Sequence, residues 1–553
     1  MGGYFATTLR GHAGHSGMKL AGMASNRGRN LLNVADRAPG GVEFAVIVTN
    51  DADAPVLDAA TERGISTEVV ERDGDSRRAH ERRVNEALEG YDFELVCLDG
   101  YMRILSDTFL DAQPTTLNVH PSLLPAFPGT DAWGDALEYG TRVVGCTVHV
   151  VTNAVAEDGS IVEEEVDGGP VVTQEPVPVY EGDDRKDLQD RVLYEGEFRA
   201  YPRAVKWFAE GRVTVDREAG QVAVAGDTGG AFPERRLVST DHAADLRYGE
   251  NPHQDAAVYA DPTAEEASVV AADQLNEDAR DLSYNNYNDA DAALNLVKEF
   301  DRPAAAVIKH TNPAGCATAE TLADAYADAL ATDAKSAFGG IVALNRECDE
   351  STAARMIDSF KEVVVAPGYT DAALETLFEK ESLRVLDVSD RYDAEERLTE
   401  KKLVGGRLVQ ERDVQSLTRE DLEVVTEREP TDEQVESLLF AWQTTKHVKS
   451  NAIVLGTGTE TVGVGAGQVS RVDAVEIAAM KAGRDAEGKS AEGAVMASDA
   501  FFPFPDGVET AAEAGIEAVI QPGGSKRDGQ VVAAADEHDL AMVMTGQRAF
   551  RHD

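Results

Sequence analysis

Residues 18–48 read MKLAGMASNRGRNLLNVADRAPGGVEFAVIV, in which two short apolar runs flank an amphipathic stretch of helical period. The order strand, helix, strand is typical of a parallel α/β unit. Further strand candidates begin at Phe93, Val143 and Pro170, and the alternation continues to about Asp216. This region is therefore predicted to be an α/β domain with a mostly parallel sheet.

The length of the chain favours several domains, because 553 residues exceed the ~150 residues of a common domain. Residues 217–231 are rich in Gly, Ala and Val without helical period, and they are predicted to form a linker. Residues 232–553 form a second α/β region whose size favours two subdomains, with a break between 387 and 433. Residues 1–17 contain no apolar core and are predicted to be a disordered extension before a domain at 18–216.

The composition describes an acidic chain that can still bury full cores. It has 42% apolar residues, and 100 Asp and Glu against 52 Lys and Arg give a formal net charge of −48. No apolar run approaches the ~18 residues that span a bilayer. Because this charge repels phosphate backbones and anionic lipids, neither nucleic acid nor a membrane is an expected partner. Adaptation to concentrated salt explains the acidic surface best, and an acidic face for a cationic partner is the alternative.

The four cysteines are predicted to be buried, reduced thiols. Cys97, Cys146, Cys316 and Cys348 are far apart, form no CxxC pair and lie in or beside apolar segments. This usage is typical of a cytosolic enzyme and indicates neither disulfides nor a zinc site.

The segment LNVHPSLLPAFPG, residues 117–129, contains the first candidate site. Asn118 and His120 are two residues apart, so in a strand their side chains project from the same side. The prolines that follow exclude a regular helix and favour a rigid loop. An amide and an imidazole on one face can donate to a carbonyl oxygen that becomes an oxyanion. The alternative is a capped strand end with a structural histidine.

Over residues 18–215 the sequence resembles the phosphoribosylglycinamide formyltransferase family. The resemblance rests on NVHPSLLPAFPG from Asn118, VDGGPVVTQEPVPV from Val166 and YMRILS from Tyr101. It implies a Rossmann-like fold and formyl transfer from 10-formyltetrahydrofolate to glycinamide ribonucleotide. The positions it assigns are Asn118, His120 and Asp167 for catalysis, Met102, Arg103 and Leu105 for the pterin pocket, and Ser25, Gly28, Asn30, Arg77 and Glu197 for the nucleotide substrate.

Within this resemblance, Asp167 would keep His120 charged and relay protons. Glu197 would meet the substrate amine, and Arg77 would lie near the phosphate. The sequence departs from the family at the phosphate loop, where Asn26 and Arg29 replace Gly and Ser, and in a longer connection before Asp167. These departures leave two alternatives open: a 10-formyltetrahydrofolate hydrolase or transferase to another amine, and a non-catalytic folate-binding module.

A second group of motifs lies in the C-terminal region. It includes LRYGENPHQDAAVY from Leu246, LSYNNYNDADAA from Leu282, VIKHTNPAGCA from Val307 and SAFGGIVALNR from Ser336. From Phe232 to Asp553 the sequence resembles the transformylase half of the bifunctional purine-biosynthesis protein. That half formylates aminoimidazole carboxamide ribonucleotide (AICAR). The family's separate cyclohydrolase domain is missing, so ring closure is expected to belong to another protein.

The AICAR amine is conjugated and therefore a poor nucleophile, which calls for concerted general acid–base help. The adjacent Lys309 and His310 can supply it: by resemblance His310 is the base toward the amine, and Lys309 donates to the folate nitrogen. Phe502 and Phe504 are expected in the core. The resemblance further assigns His552 as an aid to the base, Arg247 and Arg548 to the phosphate, Tyr248, Asn286, Gly339, Glu362, Asn451 and Arg471 to the nucleotide, and Phe501, Pro503 and Asp506 to the folate.

The sequence thus predicts a cytoplasmic, bifunctional formyltransferase of de novo purine biosynthesis. Its cosubstrate would be 10-formyltetrahydrofolate, with no metal needed for the chemistry and a potassium requirement left open. The resemblance implies a homodimer through the C-terminal domain. The alternative is that only the C-terminal AICAR transformylase is active and the N-terminal domain is a hydrolase or a folate-binding module.

Overall fold

The computed structural model describes residues 17–216, 219–226, 229–276, 278–388, 390–392 and 398–552. All but the last residue of the predicted 1–17 extension lie outside these ranges. The chain divides into two compact units, with the boundary between Leu237 and Val238. Among the described residues, every helix is too short or too polar to span a bilayer.

The first unit contains a seven-stranded sheet in the order β3-β2-β1-β4-β5-β6-β7. Its first five strands are parallel, whereas β5, β6 and β7 pair antiparallel. This confirms the predicted α/β fold with a mostly parallel sheet. The strands of this unit are β1 (Lys19–Met23), β2 (Glu43–Thr49), β3 (Ser66–Val69), β4 (Leu95–Leu98), β5 (Thr116–His120), β6 (Val143–Val150), β7 (Val171–Pro178), β8 (Val213–Asp216) and β9 (Gln221–Val224). Its helices are α1 (Arg29–Arg37), α2 (Val56–Glu62), α3 (Arg77–Leu88), α4 (Asp107–Leu110), α5 (Ala132–Tyr139), α6 (Arg185–Arg191) and α7 (Phe198–Ala209), with 3₁₀ turns at Pro39–Gly41 and Glu163–Glu165 and a π-helical segment at Val192–Glu197.

The central strands are apolar because helices cover both faces of the sheet. Leu20 and Ile47 pack in the core on one face, and Met23 and Val46 pack in the core on the other. Strand β3 was not predicted, since its sequence STEV is half polar and only partly buried. The carboxyl ends of β1, β4 and β5 lie along one edge, which is where ligands bind in open α/β sheets.

The segment after β8 differs from the prediction of a linker at 217–231. Residues Gln221–Val224 form β9, which pairs antiparallel with β8. Val222 and Val224 pack against the first core, and this burial explains why the chain folds back instead of leaving the unit.

The second unit contains a twelve-stranded mixed sheet, in the order β12-β17-β16-β15-β13-β14-β22-β21-β23-β24-β25-β20. Its strands are β10 (Asp241–Leu246), β11 (Ala256–Ala260), β12 (Asp273–Gln274), β13 (Ala304–Lys309), β14 (Asn312–Thr318), β15 (Ile341–Leu344), β16 (Val363–Ala366), β17 (Arg384–Asp387), β18 (Leu398–Leu403), β19 (Gly406–Glu411), β20 (Glu423–Val424), β21 (Ile453–Thr457), β22 (Glu460–Gly465), β23 (Val495–Ser498), β24 (Ala518–Gln521) and β25 (Ala541–Met544). Its helices are α8 (Tyr284–Val297), α9 (Leu322–Thr332), α10 (Glu350–Met356), α11 (Asp371–Leu377), α12 (Asp432–Thr445), α13 (Arg471–Arg484), α14 (Asp506–Glu513) and α15 (Asp528–Glu537), with a 3₁₀ turn at Arg419–Asp421.

The two halves of this unit have separate cores but share the sheet. Strand β14 pairs with β22 at Ala317 and Glu460, which joins the halves. The predicted break at 387–433 contains the hairpin β18–β19, whose strands pair with each other. The expected pair of subdomains is therefore tied together by backbone hydrogen bonds.

Burial agrees with the predictions for the four cysteines and for Phe502 but not for Phe504. All four cysteines are free and buried, as predicted, and burial raises the pKa of the Cys97 thiol to about 12. Phe502 is a core residue at 1% exposure. Phe504 was expected in the core, and this is wrong, because the residue is 48% exposed. Its ring contacts the Arg527 guanidinium, 4.3 Å from the ring centre.

Candidate active sites

A cavity of about 800 Å³ lies at the carboxyl ends of β4 and β5 in the first unit. This volume is within the ~300–1,000 Å³ usual for small-molecule sites. The predicted residues that line it are Asn118, His120, Asp167, Met102, Arg103, Leu105 and Arg77. The structure thus brings the predicted catalytic and pterin-pocket residues to one cavity.

His120 lies between two hydrogen-bond acceptors. Its Nδ1 is 3.2 Å from Asp167 Oδ2, and its Nε2 is 2.9 Å from the backbone oxygen of Phe127. A ring with hydrogens on both nitrogens can donate to both acceptors. Asp167 adopts a left-handed backbone (φ 57°), which costs energy outside glycine and is found where a site holds a side chain in place. The amide of Gly129 donates to Asp167 at 3.3 Å.

His149 on β6 completes this group. Its Nε2 accepts from Asn118 Nδ2 at 3.2 Å and lies 3.6 Å from Asp167 Oδ1. Its Nδ1 donates to the backbone oxygen of Val150 at 3.2 Å. Burial lowers the pKa of His149, with the charge of Asp167 opposing and that of His120 adding to this shift. A neutral His149 with its hydrogen on Nδ1 fits both contacts and fixes the orientation of the Asn118 amide.

Arg77 was predicted near the substrate phosphate, but the structure groups it with the pterin-pocket residues. A guanidinium nitrogen of Arg77 donates to the backbone oxygen of Ile104, inside the loop that carries Met102 and Arg103. Arg72 also lines the cavity and donates to the Met102 oxygen at 2.9 Å. Burial and the neighbouring charges of Arg77 and Arg72 lower the pKa of Arg103. Three guanidinium groups at one mouth favour a ligand with carboxylate groups.

The predicted phosphate loop lies beside this cavity. Gly28 is left-handed (φ 55°) and a Cβ there would be 2.6 Å from Val56, so only glycine fits before α1. Ser25 Oγ accepts from the Met102 amide at 2.9 Å. The amide of Asn30 donates to Asp99 Oδ2 at 2.8 Å. A carboxylate therefore already takes one of the α1 amides predicted for the phosphate.

In the second unit, Lys309 and His310 lie at the turn between β13 and β14. His310 (φ 54°) and Thr311 (φ 61°) are both left-handed, which is costly for a β-branched residue. Asp289 on α8 holds them: its Oδ2 accepts from the His310 amide at 3.0 Å and its Oδ1 from the Thr311 amide at 2.7 Å. Lys309 Nζ donates to the Phe338 oxygen at 2.9 Å.

Part of the predicted nucleotide site surrounds this turn. Asn286 Nδ2 donates to Glu362 Oε2 at 2.9 Å, and Gly339 lies beside Glu362 and follows Phe338 in the chain. Gly339 has φ 71°, and its amide donates to the Phe360 oxygen at 2.9 Å. The structure therefore brings Asn286, Glu362 and Gly339 together near Lys309.

A second group is built around Asn451. Its left-handed backbone (φ 60°) positions Oδ1 to accept from Arg471 Nη2 at 3.0 Å. Arg471 pairs with Asp499 at 2.5 Å in a buried contact, and it also donates to Ser498 at 2.8 Å. Burial raises the pKa of Asp499, while the charge of Arg471 opposes that shift. The Asn451 and Arg471 side chains are thus held rigidly.

The remaining predicted residues include two pairs of a guanidinium and an aromatic ring. The Arg247 guanidinium lies 5.7 Å from the Tyr248 ring centre, whereas that of Arg548 lies 5.1 Å from the Phe501 ring centre. Within the described ranges, no hydrogen bond joins His552 to His310; the His552 ring is beside Phe550, and its carbonyl accepts from Lys401. Asp506 begins α14, three residues after Pro503.

Two protein families match successive parts of the chain. Residues 18–205 match the family described as formyl transferase, and residues 206–481 match the AICARFT/IMPCHase bienzyme family. The two matches follow one another along the chain, so each part is similar to a different family. The first site lies in the part that matches the formyl transferase family, and the unit that holds it is called the formyl transferase unit below. The second site lies in the part that matches the AICARFT/IMPCHase family, and its unit is called the AICARFT/IMPCHase unit. The first of these families implies a folate-type formyl donor.

Relatives match each part separately. The bifunctional purine biosynthesis protein PurH of Sorangium cellulosum is 51% identical over 324 residues, and that of Halalkalibacterium halodurans is 49% identical over 322 residues. These matches cover 58% of this chain and 61% of either relative, so the chain spans about three fifths of their length. The crystal structure of glycinamide ribonucleotide transformylase 1 from Symbiobacterium toebii is 39% identical and has a TM-score of 0.34, with coverage of 38% of this chain and 94% of that one.

Sequence reasoning missed several residues of both units. In the formyl transferase unit these are His149, Arg72 and Asp99; in the AICARFT/IMPCHase unit they are Asp289 and Asp499. One signal was available for His149 and Asp499, since each is a polar residue within or directly after an apolar strand. Asp289 lies on an amphipathic helix, where an acidic residue is ordinary, and only the tertiary contact reveals its role.

Replacing Asp289 with Asn should weaken the second site. The carboxylate accepts two amides, whereas an amide side chain offers one acceptor and turns a donor toward the other amide. A hydrogen bond to a charged group contributes about 1.5–3 kcal/mol, which corresponds to a ten- to hundredfold loss of turnover at this site. Steady-state kinetics of Asp289→Asn beside the exposed control Asp301→Asn measures this. Equal turnover of the two variants would contradict the role given to Asp289.

Proposed function

We propose that this chain transfers formyl groups from 10-formyltetrahydrofolate at two sites. The first site would act on glycinamide ribonucleotide and the second on AICAR, as part of de novo purine biosynthesis. The observation that carries the proposal for the first site is the cavity that joins Asn118, His120 and Asp167 to the pterin-pocket residues. The second rests on the turn that carries Lys309 and His310 beside Asn286 and Glu362, in which His310 and the next residue have left-handed backbones.

At the first site, the acceptor amine attacks the formyl carbon and the formyl oxygen becomes an oxyanion. Asn118 and the imidazolium of His120 donate to it. For this, the His120 Nε2–H group leaves the Phe127 carbonyl oxygen and donates to the oxyanion instead. Asp167 stabilises the charge of His120 and relays the amine proton. The carbon–nitrogen bond to the folate then breaks, and the folate nitrogen takes up a proton.

At the second site, the amine of AICAR loses a proton to His310 while its nitrogen bonds to the formyl carbon. Lys309 donates a proton to the folate nitrogen as that nitrogen leaves. The two transfers balance and leave tetrahydrofolate and the formylated nucleotide. Asp289 holds the turn, so both groups are oriented before the substrates bind.

A second candidate for the first site is supported by the altered phosphate loop. Asp99 already accepts from the Asn30 amide, which reduces the donors left for a phosphate at α1. A unit that hydrolyses 10-formyltetrahydrofolate, formylates another amine or only binds folate would need no such phosphate contact.

The test supplies each nucleotide alone and records tetrahydrofolate release in molar KCl. We expect turnover with glycinamide ribonucleotide alone and with AICAR alone. Release without any acceptor would indicate a hydrolase instead. If tetrahydrofolate is released with AICAR and not with glycinamide ribonucleotide, the formyl transferase unit is a folate-binding module.

We propose that the protein is a homodimer through its C-terminal unit. Exposed aromatic and aliphatic side chains near the second site support this, because a soluble surface seldom leaves them uncovered. They include Phe338, Phe360 and Val469, which are 58%, 43% and 101% exposed. Sedimentation equilibrium should give twice the 59.2 kDa chain mass. A monomer at micromolar concentration would contradict the proposal.

We further propose a cytoplasmic, salt-adapted enzyme that needs no metal for its chemistry. The net charge of −48 supports the salt dependence, since the Debye length falls from ~10 Å at 0.1 M to ~3 Å at 1 M salt. The melting temperature and both activities should rise between these concentrations of KCl. Parallel series in NaCl and KCl show whether potassium is required, and treatment with a chelator should leave both activities intact.

A further inference from the structure

Two carboxyl groups in the formyl transferase unit are bridged by one amide. Asn30 Nδ2 donates to Asp99 Oδ1 at 3.1 Å and to Glu197 Oε2 at 2.6 Å. The backbone amide of Asn30 donates to the second oxygen of Asp99 at 2.8 Å. One side chain thus ties the carboxyl end of β4 to the start of α1 and to the end of the π-helical segment Val192–Glu197. Such π-helical insertions occur mostly at functional sites.

Few groups balance the charge of this pair. Glu197 is 7% exposed, and burial together with the charge of Asp99 raises its pKa to about 7, with Asn30 and Arg29 opposing. The buried Cys146 thiol also faces Glu197. Burial raises the pKa of Asp99 as well, against the hydrogen bonds from Asn30. Two carboxyl groups this close resist simultaneous ionisation.

The Asn30 side chain retains one unused acceptor. Its Oδ1 is buried, and no hydrogen-bond partner for it occurs among the described residues. A buried carbonyl oxygen without a partner is costly, so a ligand that brings an N–H group relieves that cost. An ammonium group suits a site that combines this oxygen with the two carboxyl groups.

We propose that Asp99 is a positioning residue: bridged to Glu197 by the Asn30 amide, it acts through its charge on the ionisation of that carboxyl and so decides when Glu197 is charged to receive the amine of the formyl acceptor. The substrate class is a primary ammonium, and Glu197 takes its surplus proton so that the neutral amine can attack. This inference rests on the proposed glycinamide ribonucleotide transfer.

The test compares wild type, Asp99→Asn and the exposed control Asp111→Asn, each as the full chain in molar KCl. The readout is the pH profile of kcat/KM for glycinamide ribonucleotide. Wild type and the control should lose activity below about pH 7, where Glu197 becomes protonated. In Asp99→Asn the repelling charge is absent, so this acid limb should move to lower pH by on the order of one unit. The AICAR profile should not move in any variant.

Asn30→Ala gives a prediction of opposite sign. Without the bridging amide the Glu197 anion loses its hydrogen bond, so the acid limb should move to higher pH. A limb that stays in place in both variants, with wild-type transfer intact, overturns the inference while the proposed function stands.

A measurement of stability tests the same pair even if wild type does not use glycinamide ribonucleotide. A carboxyl whose pKa is raised on folding binds more protons in the folded state, so it makes stability fall as pH rises from ~4.5 to about 7. The melting temperature of wild type should fall more steeply across this window than that of Glu197→Gln, with Asp99→Asn between them. Identical slopes overturn the coupling between the charges of Asp99 and Glu197.

Discussion

Asp167→Asn is expected to lower turnover with glycinamide ribonucleotide by about 10²–10⁴-fold and to leave AICAR-dependent turnover unchanged. The carboxylate lies 3.2 Å from His120 Nδ1, where it can accept a hydrogen bond from that nitrogen and orient the ring. Asn has nearly the same shape and tolerates the left-handed backbone of this position, so the variant tests charge and proton relay rather than folding. Steady-state rates with each nucleotide alone measure both activities in one protein.

The matched control for Asp167→Asn is Asp135→Asn, an exposed position on α5 of the same unit. It should retain both activities, since Asp135 lies outside the cavity lining. A loss of less than tenfold in Asp167→Asn would show that His120 does not depend on this carboxylate. A parallel loss of AICAR turnover would show that the substitution disturbs more than the first site.

How much of the first site the sequence could predict depends on sequence separation. Asn118 and His120 were predicted to share a face because side chains alternate along a strand, and both line the same cavity. Asp167 follows α5, β6 and a long loop, so only family resemblance linked it to His120. Arg77 was predicted near the phosphate and lies beside the loop of Met102 and Arg103, a contact that its place on α3 alone does not reveal.

The fold shows the same limit. Apolar runs predicted β1 and β2, since burial on both faces leaves a continuous apolar sequence. The sequence predicts a linker where β9 lies, because the surrounding residues are mostly small residues and glycine, and its partner β8 is equally short. Asp99 illustrates the hardest case, because Asn30 links it to Glu197 across three separate elements. No local sequence pattern predicts a contact of this kind.

Lys309→Met is expected to lower AICAR-dependent turnover by about 10²–10⁴-fold, with glycinamide ribonucleotide transfer unchanged. Met preserves most of the length of the side chain but removes the proton that the folate nitrogen needs as it leaves. The effect should fall on kcat more than on KM, because the lost interaction belongs to the transition state rather than to binding of the nucleotide. The left-handed residues His310 and Thr311 and their contact with Asp289 involve only backbone amides, so the turn itself should persist in the variant.

The control for this prediction is Lys380→Met, an exposed lysine that follows α11 in the same unit. It removes the same charge from an already acidic chain, so it separates the local role of Lys309 from a general change in net charge. A variant of Lys309 that keeps more than a tenth of the AICAR-dependent turnover would mean that another group, or water, protonates the leaving nitrogen. In that case His310 would carry the acid–base chemistry of the turn alone, and His310→Ala should then cost far more than Lys309→Met.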